Sequence, residues 1–391
     1  MKPIHFYAAI LSMALFTACG NDKNTGNKPT NDTTKIITNT DKPSPQVDPQ
    51  LDDLARLIAG MPTNQFYKNI GDTVFYKKYA SSVNQEWEKL DKQMIESILN
   101  WQQTNINHSL KGNKTCFYPY SGADFLYANL FFPDADNYIM IGLEPPGSIS
   151  DPTTMSNEEL TNYLYSNDNA MTVSHNKGFY RTLAMEVDFS KKHLNGTVHN
   201  LLYYVVRRGY KVTGVDYFSL DSLTGVPNYT KAVYGENNNK YGVKIKFTDD
   251  KGADRAIYYL SYDISDTYMA NRPALFKFID SFGGHYLYLK AASYLPQHPR
   301  YTMIQDYMLN SSSIVVQDDS GLPYRRFNDG KWDINLWGDY RTVLPVFKSY
   351  YQKDMREAYI NLPEKKNLPF HIGYSVLQGA TNLQYCIKKN P

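Results

Sequence analysis

The sequence predicts an α/β fold in which a mixed, mainly parallel sheet has helices on both faces and includes an antiparallel hairpin. Strand-like and helix-like segments alternate along most of the chain, which is the pattern of parallel strands joined by helical crossovers. A continuous apolar run at 138–143 is typical of a strand buried on both faces. Segments 241–247 and 256–262 alternate apolar and polar residues around Asp-Asp-Lys-Gly, which indicates a hairpin.

The remaining elements follow from apolar periodicity and from glycine and proline punctuation. Helical spacing is strongest at 83–106, where Val83, Trp87, Leu90, Met94, Ile98 and Trp101 recur on one face. We expect that face to pack on the domain; a partner-binding helix is the alternative. Further helices are predicted at 51–58, 123–131, 158–165, 199–207, 274–282, 301–309 and 349–359, and further strands at 116–120, 183–189, 211–218, 286–289 and 314–316.

Composition excludes several classes of protein. The 391 residues include 41 Lys and Arg against 39 Asp and Glu, without a dense basic run, so a nucleic-acid partner is not expected. Three cysteines are too few for a disulfide scaffold or a thiolate zinc cluster. Tyrosine is abundant, with 34 Tyr against 18 Phe, which suits either a strand-rich core or a face that binds carbohydrate or a protein partner.

The N-terminus has the pattern of an export signal. Lys2 precedes an apolar run at 6–16, which is too short to span a bilayer but suits a signal-peptide core. The run is followed by Ala18-Cys19 and resembles the lipobox of bacterial lipoproteins. That resemblance implies cleavage after residue 18, acyl chains such as palmitate on Cys19, and, with Gly20 rather than Asp next, residence in the outer membrane. The membrane face stays open; an ordinary secretory signal is the alternative.

Domain organisation follows from a shift in composition near residue 50. Residues 19–49 are mostly Asn, Asp, Thr, Lys, Gly and Pro, and we expect them to form a disordered tether. We expect residues 50–391 to form a single large α/β domain, with a separate subdomain at 332–391 as an alternative.

The first candidate loop joins a predicted strand to a predicted helix through Tyr118-Pro-Tyr-Ser121-Gly-Ala-Asp124. The next strand ends at Glu144. Because ligands bind beyond the carboxyl ends of parallel strands, this layout indicates a pocket and makes the fold Rossmann-like in part. Only one glycine is present, so the loop lacks the dinucleotide-binding pattern. A polar turn at a helix start is the simpler alternative.

Two later loops also follow predicted strands. Lys290 and Ser293 follow one strand, and together they suit an activated hydroxyl pair. Asp318 and Asp319 follow another, where carboxylates suit a divalent cation or acid–base work. The alternative is a polar turn with glycine at positive φ. If these loops converge, the candidate pocket also includes Tyr324 and Arg325.

The same loops resemble a known group of proteins. The strings YPYSGADFLYANLFFP, YIMIGLEPPG, LYLKAASYLPQ and VVQDDSGLPYRRF are similar to those of an uncharacterised family of envelope proteins, chiefly of Bacteroidota. The resemblance implies an envelope context and no particular activity. The cofactor stays unknown, and a divalent metal is the only candidate.

Histidines and cysteines give weaker signals. No histidine lies in a metal-ligand spacing, and His285, after Gly283-Gly284, is the best single candidate near the proposed pocket. Cys116 and Cys386 remain after lipidation of Cys19. In an oxidising compartment they would form a disulfide or stay as buried thiols.

Together these observations predict a lipid-anchored envelope protein that binds a ligand, a glycan or an envelope partner. Two alternatives stay open. The first is a hydrolase-like or Rossmann-like enzyme with its pocket at the strand ends. The second is a structural subunit of an outer-membrane complex.

Overall fold

The computed structural model describes residues 45–177, 194–236, 238–375 and 380–389, all within one compact unit. Its strands are β1 (Thr115–Tyr118), β2 (Asn137–Gly142), β3 (Lys211–Leu220), β4 (Pro227–Lys231), β5 (Gly242–Thr248), β6 (Asp254–Ser261), β7 (His285–Leu289), β8 (Ser312–Gln317), β9 (Trp332–Gly338) and β10 (Asn382–Lys388). They form one sheet in the order β4-β3-β5-β6-β2-β1-β7-β8-β10-β9.

Helices connect these strands and cover the sheet. They are α1 (Pro49–Ile58), α2 (Lys68–Gly71), α3 (Val74–Leu90), α4 (Glu96–Asn105), α5 (Phe125–Phe131), α6 (Asn157–Lys177), α7 (Val198–Arg207), α8 (Asp266–Met269), α9 (Ala274–Asp280), α10 (Thr302–Ser311) and α11 (Lys353–Ile360). Helix α1 begins at Pro49 because the Asp48 side chain accepts hydrogen bonds from the first free amides, those of Gln50 and Leu51.

The sheet is mixed, and its parallel part is central. Strands β6, β2, β1, β7 and β8 run parallel to one another. The other five of the nine pairings are antiparallel: β3–β4, β3–β5, β5–β6, β8–β10 and β9–β10. The expected hairpin is present as β5–β6, but the expectation of a mainly parallel sheet is not confirmed. Strands β4, β9 and β10 were not predicted, although β9 (WDINLWG) and β10 (NLQYCIK) alternate apolar and polar residues.

The core occupies both faces of the sheet. Along β1, Cys116 and Tyr118 belong to one apolar cluster, and Phe117 between them belongs to the other. Such alternation is what a strand covered on both faces requires. The first cluster includes residues of α1, α3, α4, α5, α6 and α7, and the second includes residues of α9 and α10. Helices therefore lie on both faces, as expected.

The long helix expected at 83–106 is two helices joined by a π-helical turn at Asp91–Ile95. Its last part packs on the domain, as the apolar face predicted. The Trp101 ring lies 5.2 Å from the Trp337 ring and 5.8 Å from the Phe370 ring, both in edge-to-face geometry.

The two cysteines do not pair. Cys116 in β1 and Cys386 in β10 are buried free thiols, and strands β7 and β8 lie between them. Three strand spacings separate them by roughly 14 Å, far beyond the reach of a disulfide. Burial raises the pKa of both thiols, that of Cys386 to about 12. The alternative of buried thiols is the one that the structure shows.

Two further expectations concern the segments at 183–189 and 332–391. The strand expected at 183–189 lies outside the described residues. The segment at 332–391 contributes β9 and β10 to the same sheet as the rest of the fold. None of the helices in the described ranges combines the length and apolar character needed to cross a membrane.

Candidate functional site

A cavity of about 220 Å³ opens at the carboxyl ends of β1, β2 and β7. Six of the residues singled out from the sequence line it: Tyr118, Ser121, Asp124, Glu144, Lys290 and Ser293. The cavity is also lined by Tyr120, Gly122, Ile141, Gly142, Leu143, Tyr262, Asp263, Ile264, Ala291, Ala292, Leu295 and Tyr301. The expected convergence of the first two strand-end loops is therefore present.

The loop after β1 is held against β2. The Ser121 amide donates a hydrogen bond to the Ile141 carbonyl at 2.8 Å. The Ser121 hydroxyl donates one to the Gly122 carbonyl at 3.0 Å. Tyr120 has a φ of 61°, in the left-handed region that tyrosine rarely occupies. The Ser121 hydroxyl proton is thus used to shape the loop.

The loop after β7 is held by side chains from two other segments. The Ala291 amide donates to Asp318 Oδ2 at 2.9 Å, and the Ala292 amide donates to Ser320 Oγ at 2.8 Å. The Ser293 amide donates to the Tyr374 hydroxyl at 3.1 Å. Three consecutive backbone donors are therefore occupied by side chains, and the loop is kept in an unusual shape.

That shape concentrates backbone strain at the cavity. Within the described ranges, four non-glycine residues have positive φ: Tyr120 (61°), Ala291 (48°), Ser293 (52°) and Tyr294 (55°). The first three line the cavity, and Tyr294 directly follows Ser293. The left-handed conformation costs a residue with a side chain roughly 1–2 kcal/mol. Strain of this kind tends to collect at binding and catalytic sites.

A buried ion pair joins the two loops. Lys290 Nζ lies 2.6 Å from Asp124 Oδ2, and both side chains are almost completely shielded from solvent. The Tyr118 hydroxyl donates to the same carboxylate oxygen at 2.9 Å. Burial raises the pKa of Asp124, against the attraction of Lys290, and lowers the pKa of Lys290, against the attraction of Asp124.

Glu144 lies just beyond β2, where a glycine makes room for its carboxylate. A Cβ on Gly142 would lie 2.5 Å from the Tyr259 hydroxyl and 2.8 Å from Glu144 Oε2. The Tyr259 hydroxyl donates to the Glu144 carbonyl at 2.8 Å. Gly142 and Tyr259 therefore set the position of Glu144, although neither stood out in the sequence.

The rim is aromatic and acidic. The Tyr120 and Tyr301 rings meet edge to face at 5.8 Å, and Tyr262 and Asp263 add a third ring and a carboxylate. The Tyr120 hydroxyl is buried and has no hydrogen-bond partner within the described part of the chain. Tyr262 and Asp263 directly follow β6, whose place beside β2 is set by a long-range pairing.

The other candidates from the third loop lie beside the cavity or away from it. The Asp318 carboxylate accepts a hydrogen bond from the Ala291 amide. The Asp319 carboxylate has different partners: it accepts hydrogen bonds from the Tyr294 hydroxyl and, at 2.9 Å, from Asn382 Nδ2. Burial, and then the charge of Asp318, raise the pKa of Asp319 to about 7. The two neighbouring carboxyl groups thus serve different contacts.

Three further candidates lie apart from the cavity. The Tyr324 amide donates to Gln352 Oε1 at 2.7 Å, and Arg325 lines a separate open depression beside Gln352. His285 begins β7 and so lies at the opposite edge of the sheet, 5.2 Å from the Phe117 ring. Burial lowers the pKa of His285 to about 4. The expectation that His285 lies near the pocket is therefore wrong.

No group of three or more His, Cys, Asp or Glu side chains with metal-binding geometry occurs in the described ranges. The Asp318 carboxylate already accepts hydrogen bonds from the amides of Ala291 and Ser320. The contacts of Asp318 and Asp319 are those of supports for neighbouring loops. A polar turn describes these contacts better than a shared cation site, but Gly321 does not have the positive φ that this alternative expected.

No protein-family model, curated protein or solved structure matches this chain. The resemblance to envelope proteins thus depends on the sequence strings alone and stays a prediction.

Proposed function

We propose that the protein binds a small, neutral, polyhydroxylated ligand in the cavity at the strand ends. The main supporting observation is that loops after β1 and β7 converge there and contain every left-handed non-glycine residue of the described chain. Folding keeps a strained conformation only where surrounding contacts enforce it. Loops that served only as turns would not need one such residue after β1 and three after β7.

The charges of the cavity favour a neutral ligand. Its lining includes the carboxyl groups of Asp124, Glu144 and Asp263 against the single ammonium of Lys290, which is already paired with Asp124. An anion would meet repulsion from Glu144 and Asp263. Carboxylates are good acceptors for ligand hydroxyl groups, and tyrosine rings suit the apolar face of a sugar.

The size of the cavity indicates a ligand of about one sugar ring. Its volume of about 220 Å³ is below the roughly 300–1,000 Å³ of pockets for drug-sized molecules. A pentose or a pentitol is therefore a suitable first probe.

A set of three five-carbon probes tests this proposal by isothermal titration calorimetry: xylitol, xylose and the anion xylonate. We expect xylitol and xylose to bind and xylonate to bind at least about tenfold more weakly because of charge repulsion. Glu144→Gln should weaken xylitol binding. Asp250→Asn is the matched control, because Asp250 is exposed in the β5–β6 turn at the opposite edge. Tighter binding of xylonate than of xylitol would contradict the proposal.

We also propose that a lipid on Cys19 tethers this binding domain to the outer membrane, with residues 19–49 as spacer. The support is the lipobox resemblance and the polar composition of that segment. Metabolic labelling with an alkyne palmitate in a bacterial host tests it. The full chain should be labelled and Cys19→Ala should not, whereas Cys386→Ala, which changes a buried thiol, should keep its label. Equal labelling of Cys19→Ala would exclude the anchor.

A further inference from the structure

Among the described residues that line the cavity, Lys290 is the one with an amine. It directly follows β7, and its position at the strand end places it between the floor of the cavity and α5. Its Nζ lies 3.3 Å from the centre of the Tyr127 ring and 2.6 Å from Asp124 Oδ2. An amine held against an aromatic ring and one carboxyl group is poorly solvated.

We propose that Lys290 forms an imine with a hydroxylated aldehyde or ketone bound in this cavity, and that Asp124 transfers the protons. This inference rests on the proposed function, because it assigns a carbonyl group to the polyhydroxylated ligand. The donor set is complete in the structure: an amine, an adjacent carboxyl group, and the Tyr118 hydroxyl 2.9 Å from that carboxyl group.

The proton balance of the pair suits this chemistry. An ammonium group is not a nucleophile, so the amine must first lose a proton. Burial lowers the pKa of Lys290 and raises that of Asp124, and the 2.6 Å contact gives the proton a direct path between them. Transfer to Asp124 leaves a neutral amine beside a neutral carboxylic acid, which avoids two buried charges.

The reaction then balances without a further reagent. The Lys290 nitrogen lone pair forms a bond to the carbonyl carbon, and the carbon–oxygen π electrons move to the oxygen. One proton of the attacking nitrogen is relayed to that oxygen through the Asp124 carboxyl group, so a neutral carbinolamine results and Asp124 stays protonated. Asp124 returns its proton to the carbinolamine hydroxyl, the carbon–oxygen bond breaks, and water leaves. The nitrogen is then a protonated imine, and its charge is balanced by the Asp124 carboxylate. No oxidation or reduction takes place.

The Asp124–Lys290 pair also has a purely structural explanation, because it ties two loops together. Its position argues for more. Both partners line the cavity, and the residue after Lys290 is held in left-handed geometry by Asp318, a carboxylate that also attracts the Lys290 ammonium. An ion pair that only connected the two loops would stabilise them equally well at a position away from the cavity.

Reductive trapping on the mature full chain tests the inference. Glycolaldehyde, the smallest hydroxylated aldehyde, is added with cyanoborohydride, and adducts are located by peptide mass mapping. We expect Lys290 to be modified about tenfold faster than the exposed Lys251, although burial alone predicts the reverse. Asp124→Asn should slow modification at residue 290 by at least about tenfold and leave Lys251 unchanged. Modification of Lys251 without Lys290 would overturn the inference.

Xylitol, which has no carbonyl group, separates this inference from the proposed function. If xylitol binds and Lys290 is not trapped, the imine is excluded and the binding site stands. If xylitol does not bind and Lys290 is not trapped, both are excluded. Protection of Lys290 from glycolaldehyde by saturating xylitol, with Lys251 unprotected, would place the amine in the ligand site.

Discussion

Lys290 Nζ and Asp124 Oδ2 lie 2.6 Å apart in a shielded position and connect the loop after β7 to the loop after β1. The two residues are far apart in the chain and follow two strands, β1 and β7, that pair in the sheet. Their contact fixes the floor of the cavity. The stability of the fold and the chemistry of the candidate site therefore depend on the same pair.

Removal of one partner should be strongly destabilising. Lys290→Met leaves the Asp124 carboxyl group buried without its counter-charge, which costs about 3–5 kcal/mol in free energy of unfolding. Urea unfolding measures this. Lys211→Met is the control: its ion pair with Asp250 is exposed, so the loss should stay below about 1 kcal/mol. The double variant with Lys290→Met and Asp124→Leu should recover much of the lost stability. Equal losses in free energy of unfolding for Lys290→Met and Lys211→Met would contradict the account.

Gly142→Ala should damage the site directly. The new Cβ would lie 2.5 Å from the Tyr259 hydroxyl, 2.8 Å from Glu144 Oε2 and 3.0 Å from the Gly122 backbone, so several groups must move. We expect a loss of about 1–3 kcal/mol and much weaker xylitol binding. Gly214→Ala is the control, because its Cβ would meet only the flexible end of Lys246. Normal xylitol binding by Gly142→Ala would show that Glu144 does not take part.

Ala291→Gly tests whether the strain serves binding. Ala291 has a φ of 48°, so glycine should relieve roughly 1 kcal/mol of strain and raise stability. The same change should weaken xylitol binding, since the loop loses its enforced shape. Ala292→Gly, at the next residue and without positive φ, should lower stability instead. The comparison needs calorimetric binding and urea unfolding on both variants; a stability loss in Ala291→Gly would contradict the strain argument.

Asp319 should make stability depend on pH. Its pKa is about 7 in the folded chain, above the ordinary value of 3.8, because the carboxyl group is buried beside Asp318. A raised carboxyl pKa means that folding favours the protonated form. Stability from this group is complete below the ordinary pKa and is lost as pH rises towards 7, by up to about 1.4 kcal/mol per pH unit.

The matched variant for this pH effect is Asp319→Asn, which keeps an acceptor for Asn382 and removes the titration. The difference in free energy of unfolding between variant and wild type should grow in favour of the variant from pH 5 to about pH 7 and level off above it. Contributions from the other carboxyl groups largely cancel in that difference. A difference independent of pH would show that Asp319 titrates at its ordinary value.

Local sequence patterns were enough to find the two main loops. Predicted strand ends at Tyr120, before Glu144 and before Lys290 place three sets of polar residues at one edge of a parallel sheet. That geometric rule needs only strand direction, so it succeeded. The same rule places His285 at the start of a strand, and hence at the opposite edge.

The residues that were missed depend on long-range pairing. Tyr262 and Asp263 reach the cavity because β6 pairs in parallel with β2, whereas the sequence indicated only its hairpin with β5. Gly142 matters because Tyr259, far along the chain, comes close to it. The sequence also did not show the direction of side chains. Asp318 and Asp319 are neighbours in the chain, but Asp318 contacts Ala291 and Asp319 contacts Asn382.

A crystal structure of the mature chain grown with xylitol tests the central claim most directly. The account predicts density for one xylitol molecule in the cavity between the loops after β1 and β7, with hydroxyl groups within hydrogen-bond distance of Glu144. It also predicts that Tyr120, Ala291 and Ser293 keep positive φ. An empty cavity at a xylitol concentration that saturates the calorimetric signal, with the ligand bound elsewhere, would contradict it.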